Sequence, residues 1–360
     1  MKRIILALTA LAGILFLTAC EREEVVQRVS ATGFVADWWG EIIIFYMDDD
    51  RNNSQRHYTA LAEGALEYVR YLGGIFDRFR EGTDLWRLNH AGGEFVEVSP
   101  YLVEALEYSI FFRDATNGRM DITIGGVRDL WVFEANPAEG IDIRIPTQAE
   151  LSQVLSTVGT NIIIDGNRVR LEHPEASLDL GGIAKGYMAD LAADFLRERG
   201  VEHAIINLGG DNMTIGGRPD GMPFGIGLPA PGTIGLVDGH IGVALIESQS
   251  MVGSGVDQRA FWRDGVRYHH ILDVDTGMPV DTDMLSVFII SESAILGEGL
   301  STAMYTMGRE AGMALVEGIP NAYAVLFVDV GREGEFEVQT TSGVTFIPPG
   351  EDGRFMLYFN

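Results

Sequence analysis

Apolar residues follow a helical period in one stretch of this chain and form a strand-like run in another. Between residues 57 and 79 they recur every three or four positions, so that Leu61, Leu66 and Val69 fall on one side, which predicts an amphipathic helix. The run at 41–47 is apolar at nearly every position and predicts a buried strand. Helix-forming and strand-forming segments therefore both occur early in the chain.

Start and stop signals divide the rest of the chain into further elements. Ser99-Pro100 is typical of a helix N-terminus, and Thr-Gln-Ala-Glu at 147–150 fits a capping box. Gly200 is placed to end a helix that begins at Gly182. The other predicted elements are a hairpin (161–165 with 168–172), short strands from 204 to 272, a strand at 285–291, a helix at 294–307 and strands from 323 on. Mixed helices and strands predict an α+β fold with two closely joined halves.

The first twenty residues predict an export signal. Lys2 and Arg3 precede an apolar stretch at 4–16 that is too short to span a bilayer. The Leu-Thr-Ala-Cys that follows resembles the bacterial lipobox, and its Cys20 is the only cysteine in the chain. We therefore predict a lipoprotein signal peptide at 1–20, lipidation of Cys20, and an extracytoplasmic protein lipid-anchored to the periplasmic side of a bacterial membrane. An ordinary cleaved signal peptide with an incidental cysteine is the alternative.

Composition narrows the class of protein. The 360 residues include 26 Lys and Arg against 52 Asp and Glu, for a net charge of −26, and 46% are hydrophobic. That apolar content supports a large core and excludes a disordered chain. The acidity excludes a nucleic-acid partner, which would require a basic face. The polar segment at 21–30 predicts a tether between the anchor and the folded part.

The stretch Ser-Leu-Asp-Leu-Gly-Gly-Ile-Ala-Lys-Gly at 177–186 carries the clearest chemical signal. An apolar strand runs into a glycine turn, and a helix begins there, so unpaired backbone N–H groups and the positive end of the helix dipole point to one place. Gly181 and Gly182 let an anion approach the backbone, and Lys185 adds a full positive charge. The pattern predicts an anion site; the alternative is a plain strand-to-helix turn with a solvent-facing lysine.

The same stretch resembles the signature of the ApbE family, the FAD:protein FMN transferases. Further segments are similar to family motifs and follow in the same order: 79–89, 118–131, 207–211, 269–279 and 300–303. The resemblance covers about residues 30–345. It implies an ApbE-like fold of interleaved mixed sheets and helices, with a transferase domain at 31–347 and a C-terminal tail at 348–360.

The resemblance also implies a reaction. FAD is the substrate and Mg²⁺ the metal, and FMN is transferred to a Thr or Ser hydroxyl of an exported flavoprotein subunit of a redox complex, with release of AMP. Two alternatives stay open: an FAD pyrophosphatase, in which water replaces the acceptor hydroxyl, and a non-catalytic FAD-binding lipoprotein.

Residue roles follow from the resemblance position by position. Those implied to contact FAD are Thr32, Phe79, Arg119, Met120, Asp121, Asp179, Lys185 and Ile271. Those implied to bind the metal are the carbonyl of Gly182 with Glu298 and Thr302, and the last two are four apart on one face of a predicted helix. His270 and Asp273 are the catalytic candidates, His270 because imidazole titrates near neutral pH.

Several of these residues also have a purely structural interpretation. Asp273 could only shape a turn, and Asp211 is interpreted as closing the Gly209-Gly210 turn. Trp38-Trp39 is interpreted as a packing contact near the tether. His269 and His270 alternate along a short strand, so at most one of them reaches the site. Glu298 stands where the family has Asp, which adds one methylene to the metal site.

Overall fold

The computed structural model describes residues 26–35, 38–47, 54–138, 140–231, 239–256, 259–332, 334–349 and 353–359. The predicted signal peptide, the predicted lipidation site Cys20 and the first half of the predicted tether lie outside these residues. Within them, no helix is long and apolar enough to cross a bilayer.

The helices are α1 (Ser54–Phe76), α2 (Asp84–Asn89), α3 (Pro100–Ala115), α4 (Gly125–Arg128), α5 (Gln148–Leu155), α6 (Ala184–Arg197), α7 (Ala294–Met307) and α8 (Arg309–Glu317). The strands are β1 (Val26–Val35), β2 (Trp38–Met47), β3 (Val96–Glu97), β4 (Ile162–Asp165), β5 (Arg168–Leu171), β6 (Ala204–Leu208), β7 (Asp211–Ile215), β8 (Phe224–Pro229), β9 (His240–Ile246), β10 (Ser250–Gly255), β11 (Ala260–Arg263), β12 (Val266–His269), β13 (Met284–Ser291), β14 (Tyr323–Asp329), β15 (Phe336–Thr340), β16 (Val344–Ile347) and β17 (Phe355–Phe359).

A large antiparallel sheet forms the centre of the described structure. Its eight strands run in the order β1-β2-β6-β7-β10-β13-β14-β15. A second sheet has the order β16-β17-β9-β8, and β17 pairs with β9 in parallel. This combination of helices with several sheets confirms the predicted α+β class.

The local sequence signals place several elements correctly. α7 occupies the predicted 294–307, and α1 begins three residues before the predicted helix and ends three residues before its end. Ser99 caps α3 by accepting the N–H of Tyr101 (3.3 Å), and Thr147 and Glu150 form the predicted capping box of α5. The run 41–47 forms a strand, but its side chains alternate between buried and half-buried because only one face of β2 meets the core.

Both ends of the predicted domain organisation need correction. Residues 26–30 are not tether but the first half of β1, in which Val29 is buried and faces Ile44 of β2. The segment 348–360 is not a free tail, because β17 lies within it and buries Phe355 and Leu357. In β17 it is burial that alternates, with Phe355 and Leu357 inside and Met356 and Tyr358 outside, so one face of the strand packs on the fold.

Close helix packing brings the functional segments together. A Cβ on Gly186 of α6 would lie 2.4 Å from the carbonyl oxygen of Ala294 in α7, so only glycine allows this approach. On the other side of α7, a Cβ on Gly299 would overlap the ring of Phe112. As a result, the N-terminal turn of α6 lies directly against the first turns of α7.

Candidate functional site

A cavity of about 430 Å³ opens where the start of α6 meets α7, β10 and the loop that follows α1. The predicted residues that line it are Phe79, Arg119, Met120, Asp121, Asp179, Gly182, Lys185, His270, Ile271, Glu298 and Thr302. Thr32 is not among them: it is exposed on β1, opposite Glu41. Its predicted FAD contact is therefore not supported by its place in the fold.

The centre of the cavity is an ammonium group between two carboxylates. Lys185, in the first turn of α6, forms ion pairs with Asp211 and Glu298, and its Nζ is 3.0 Å from Oε1 of Glu298. Asp211 is almost fully buried, and its Oδ1 also accepts the N–H of Gly253 in β10 (3.1 Å). The interpretation of Asp211 as a turn residue is therefore wrong. Asn207 closes that turn instead, by accepting the N–H of Gly210 (3.0 Å).

The charges in this cluster depend on one another. Burial alone would lower the pKa of Lys185, but Asp211 and Glu298 outweigh it and the pKa is raised. Burial raises the pKa of Glu298 to about 7, Asp211 acts in the same direction, and Lys185 opposes both. One ammonium thus faces two acids in a water-poor site, an arrangement that favours a further cation.

Glu298 also caps a helix that is not its own. Ile183, the N-cap residue of α6, has no side-chain oxygen, and Glu298 Oε2 accepts the N–H of Gly186 from the neighbouring helix. A carboxylate at this position is favoured by the helix dipole. The hydrogen bond from Gly186 also holds the Glu298 carboxylate beside the glycine turn.

The predicted metal ligands fit a hard divalent cation. Oε1 of Glu298 is buried and is paired with the ammonium of Lys185 at 3.0 Å. A Cβ on Gly182 would stand 3.1 Å from Oγ1 of Thr302, so the glycine leaves room beside that hydroxyl. Carboxylate, hydroxyl and carbonyl oxygens suit Mg²⁺, which commonly uses one or two carboxylates with substrate phosphates. Consistent with so few acids, no group of three or more His, Cys, Asp or Glu side chains in the described ranges could hold a metal alone.

Asp179 is held rigid by an arginine that the sequence did not single out. Its Oδ1 accepts the N–H of Gly181 (2.7 Å), and its Oδ2 accepts from Nη1 of Arg78 (3.0 Å). The side chain of Arg78 is only 8% exposed and also donates to Asp129 (2.8 Å) and Ser177 (3.0 Å). Arg78 lies next to the family-like segment that begins at Phe79, but its partners are 47 to 101 residues away, so no local signal could have found it.

Aromatic side chains stand on two sides of the cavity. Phe79 is 78% exposed, and the guanidinium carbon of Arg78 lies 5.2 Å from its ring centre. Trp38 packs against the core, as interpreted, and also lines the cavity, whereas Trp39 packs edge-to-face on Phe34 (5.2 Å). Both Phe79 and Trp38 offer flat faces of the kind on which a ring system stacks.

The two neighbouring histidines have different surroundings in the fold. His270 lines the cavity, while the buried His269 hydrogen-bonds the carbonyl of Val280 (3.1 Å), as the strand alternation predicts. Burial lowers the pKa of His269 to about 4. Asp273 does not line the cavity: its Oδ1 accepts the N–H of Thr276 (2.8 Å), and its Oδ2 lies 3.7 Å from Arg119. In the fold Asp273 shapes this turn, and Arg119 hydrogen-bonds the neighbouring Asp275 (2.9 Å), while the catalytic role of Asp273 stays a prediction.

Two further arginines of the cavity were missed by the sequence analysis. Arg128 and Arg259 both line it, and burial lowers the pKa of Arg128, with Arg259 and Arg78 adding repulsion. Arg259 has a positive φ of 46°, an unfavourable backbone conformation for this residue. Five basic and four acidic side chains therefore line the cavity of a strongly acidic protein.

Comparison with known proteins gives one consistent result. A sequence model of the ApbE family matches residues 42–327. An FAD:protein FMN transferase of Vibrio cholerae is 30% identical over 94% of this chain and 98% of its own length, and one of Klebsiella pneumoniae is 32% identical over 77% and 84%. The solved flavin transferase ApbE from Vibrio cholerae has a TM-score of 0.72 at 28% identity, over 88% of this chain and 98% of its own. The ApbE protein of Thermotoga maritima has a TM-score of 0.74 at 28% identity, over 88% and 97%.

Proposed function

Because this chain belongs to the ApbE family and is a flavin transferase, we propose that it moves FMN from FAD to a Thr or Ser hydroxyl of an exported flavoprotein and releases AMP. The observation that carries this proposal is the convergence, in one cavity, of the Gly181-Gly182 turn, Lys185 and the neighbouring pair of Glu298 and Thr302. This arrangement suits a diphosphate, which needs backbone N–H donors, a fixed positive charge and a divalent cation.

The chemistry is transfer of a phosphoryl group at that diphosphate. The acceptor oxygen forms a bond to the FMN phosphorus, the bond from that phosphorus to the bridging oxygen breaks, and AMP leaves with the bridging oxygen. Lys185 would hold the diphosphate, and His270, which lines the same cavity, would take the hydroxyl proton. Mg²⁺, held by Glu298, Thr302 and the Gly182 carbonyl, would neutralise phosphate charge. Phe79 and Trp38 are the surfaces available to the flavin ring.

An acceptor assay tests this function and separates it from its alternatives. Residues 21–360 are incubated with FAD, Mg²⁺ and an exported flavoprotein domain that carries threonine-linked FMN when mature, prepared here without it. AMP together with a flavin-sized mass gain on the acceptor supports the transferase. AMP without the mass gain identifies an FAD pyrophosphatase, and bound FAD without AMP identifies a storage protein.

A second arm of the assay tests the metal assignment. Glu298→Ala should lower activity and raise the Mg²⁺ concentration needed for half-maximal activity, and EDTA should stop the unaltered enzyme. Activity that survives EDTA unchanged would contradict the metal assignment. Arg332→Ala is a suitable control, because its side chain is 74% exposed and paired only with the nearby Glu335 among the described residues.

We also propose that the enzyme works outside the cytoplasm, anchored to the membrane through lipid on Cys20. The apolar stretch before Cys20 and the lipobox-like residues support this proposal. Metabolic labelling with a fatty-acid analogue tests it: the unaltered chain should be labelled and partition with membranes, and Cys20→Ala should do neither.

A further inference from the structure

A two-stranded ribbon stands beside the cavity without joining either large sheet. It consists of β11, β12 and their turn, residues 260–269, and is called the arm below. Its strands pair in antiparallel register, with Phe261 opposite Tyr268 and Trp262 opposite Arg267. Since side chains alternate along a strand, these two pairs lie on opposite faces of the arm.

The inner face of the arm is anchored by aromatic packing. Phe261 and Tyr268 stack with ring centres 5.2 Å apart and planes 12° apart. Tyr268 lies 5.9 Å from Trp131, and Phe261 lies 6.3 Å from Phe133. This cluster holds the arm in a fixed place, and the fold already accounts for its inner side chains.

The fold does not account for the side chains on the outer face of the arm. Trp262 is 69% exposed, and among the large apolar side chains of the described residues only Phe79 is more exposed. The guanidinium of Arg267 lies 5.9 Å from its ring centre. An exposed tryptophan beside an arginine is a costly surface in a free protein, and both residue types are enriched at the centres of protein interfaces.

The arm joins the cavity at both ends. Arg259, immediately before it, and His270 and Ile271, immediately after it, all line the cavity. A protein that docks on the arm would therefore have its nearest residues at the cavity mouth, beside the proposed proton acceptor.

The charge of the arm differs from that of the rest of the chain. The arm holds Arg263 and Arg267, and Arg259 directly precedes it, against the single acid Asp264, in a chain of net charge −26. At physiological salt, charges act over about 8 Å, so a docking partner senses this local surface rather than the distant acids.

We propose that the outer face of the arm is the docking site for the acceptor protein, and that this acceptor carries acidic side chains next to its target hydroxyl. The inference rests on the proposed function and assigns it a partner surface. Trp262 provides the apolar contact, and Arg267 beside it provides the charge that selects an acidic neighbourhood. FAD binding and acceptor recognition are then carried by different residues.

Steady-state kinetics with the acceptor domain of the previous section tests the arm. Trp262→Ala and Arg267→Gln should each raise the acceptor KM about tenfold, with kcat, FAD affinity and acceptor-free AMP release unchanged. The matched controls are Phe346→Ala, 45% exposed on β16, and Arg332→Gln, which should leave the acceptor KM as it is.

A change on the acceptor side identifies the contact. Amide replacements of the acidic residues flanking the acceptor threonine should raise KM for the unaltered enzyme. The same replacements should add little once Arg267→Gln is present, because both changes remove one interaction. Full additivity would overturn the assignment of charge to the arm.

Three other results would overturn the proposal. One is an unchanged acceptor KM in both arm variants. Another is an equal loss of acceptor-free AMP release, which would place the arm in FAD binding. The third is that the unaltered chain forms a dimer in solution and that Trp262→Ala dissociates it. The outer face of the arm would then be a contact between two copies of the chain. If the unaltered chain modifies no acceptor, the proposed function itself fails. If the unaltered chain modifies the acceptor and Trp262→Ala does so with the same KM, only the arm proposal fails.

Discussion

Lys185 is a lysine in a chain whose other basic residues are almost all arginines. The chain contains 24 arginines but only two lysines, Lys2 and Lys185. Arginine therefore serves at every other basic position of the folded part, and the cavity centre is where a compact ammonium is used. A guanidinium is a planar fork and would not fit between Asp211 and Glu298 in the same way.

Lys185→Met tests the role of that ammonium. It leaves two buried acids without their cation, so the free energy of unfolding should fall by about 3 kcal/mol. FAD affinity should fall at least about tenfold, because a charged contact to phosphate is lost. Urea unfolding and a fluorescence titration with FAD measure the two effects.

The double variant Lys185→Met with Asp211→Asn serves as the control. It removes an acid together with the base, so most of the stability should return while FAD affinity stays low. Recovery of both would show that Lys185 acts only through folding.

His269 makes stability depend on acidity. Burial lowers its pKa to about 4, so the unfolded chain, with an ordinary pKa near 6.5, takes up the proton first as the pH falls. The stability from this group is complete above about pH 6.5 and is lost progressively down to about pH 4. Between about pH 7.5 and about pH 5 the unaltered protein should lose roughly 2 kcal/mol through His269.

Urea unfolding at both pH values checks this expectation. His269→Gln should lose less stability over the same interval, whereas His90→Gln, a change at an exposed histidine, should behave like the unaltered chain. Equal acid sensitivity in all three proteins would contradict the assignment.

Single residues of the site could be predicted where a motif carries them. Asp179, Gly182 and Lys185 lie in one continuous stretch, so their proximity follows from the sequence. Arg78 lies outside the motif segments, and Asp211 ends the segment 207–211, but the partners of both are brought in by the fold from elsewhere in the chain. A local sequence pattern indicates turns and the buried faces of helices and strands, but it does not indicate which distant charged residue a side chain will contact.

At the scale of elements, the contact between α6 and α7 determines the site. Gly186→Ala places a methyl group 2.4 Å from the Ala294 carbonyl, so it should destabilise the protein by about 1–3 kcal/mol and also weaken FAD binding. Thermal unfolding and FAD titration measure this. Gly126→Ala, whose methyl group would stand 3.8 Å from Val154, should change neither by much.

The second sheet depends on β17. Leu357 is fully buried there, and Leu357→Ala should cost about 2–5 kcal/mol of unfolding free energy. Its neighbour Tyr358 is 37% exposed, so Tyr358→Ala should cost less than about 1 kcal/mol. Similar losses at both positions in urea unfolding would argue against the parallel pairing with β9.

Elements with strong local signals were predictable, and their arrangement was not. Helix caps and periodicity place α3, α5 and α7 because those signals lie within a few residues. The alternation of side chains along a strand identifies its buried face but not the strand with which it pairs. The parallel pairing of β17 with β9, more than a hundred residues earlier, could therefore not be predicted from it. The same weakness led to the interpretation of 26–30 as tether.

At the scale of the whole molecule, the net charge of −26 opposes the compact state. Raising NaCl from about 20 mM to about 300 mM screens this repulsion and should raise Tm by a few degrees. Differential scanning calorimetry measures the shift. Near pH 4.5, close to the isoelectric point of about 4.5, the same salt step should have little effect.

If Cys20 carries the proposed lipid, the early start of β1 constrains where the enzyme can search for its acceptor. Only five residues separate Cys20 from Val26, and an extended chain gains at most about 3.6 Å per residue, so a lipid on Cys20 would keep the sheet edge within roughly 20 Å of the headgroups. Encounters would then occur by lateral diffusion in two dimensions. Acceptors that share the bilayer would meet this enzyme far more often than proteins that diffuse freely.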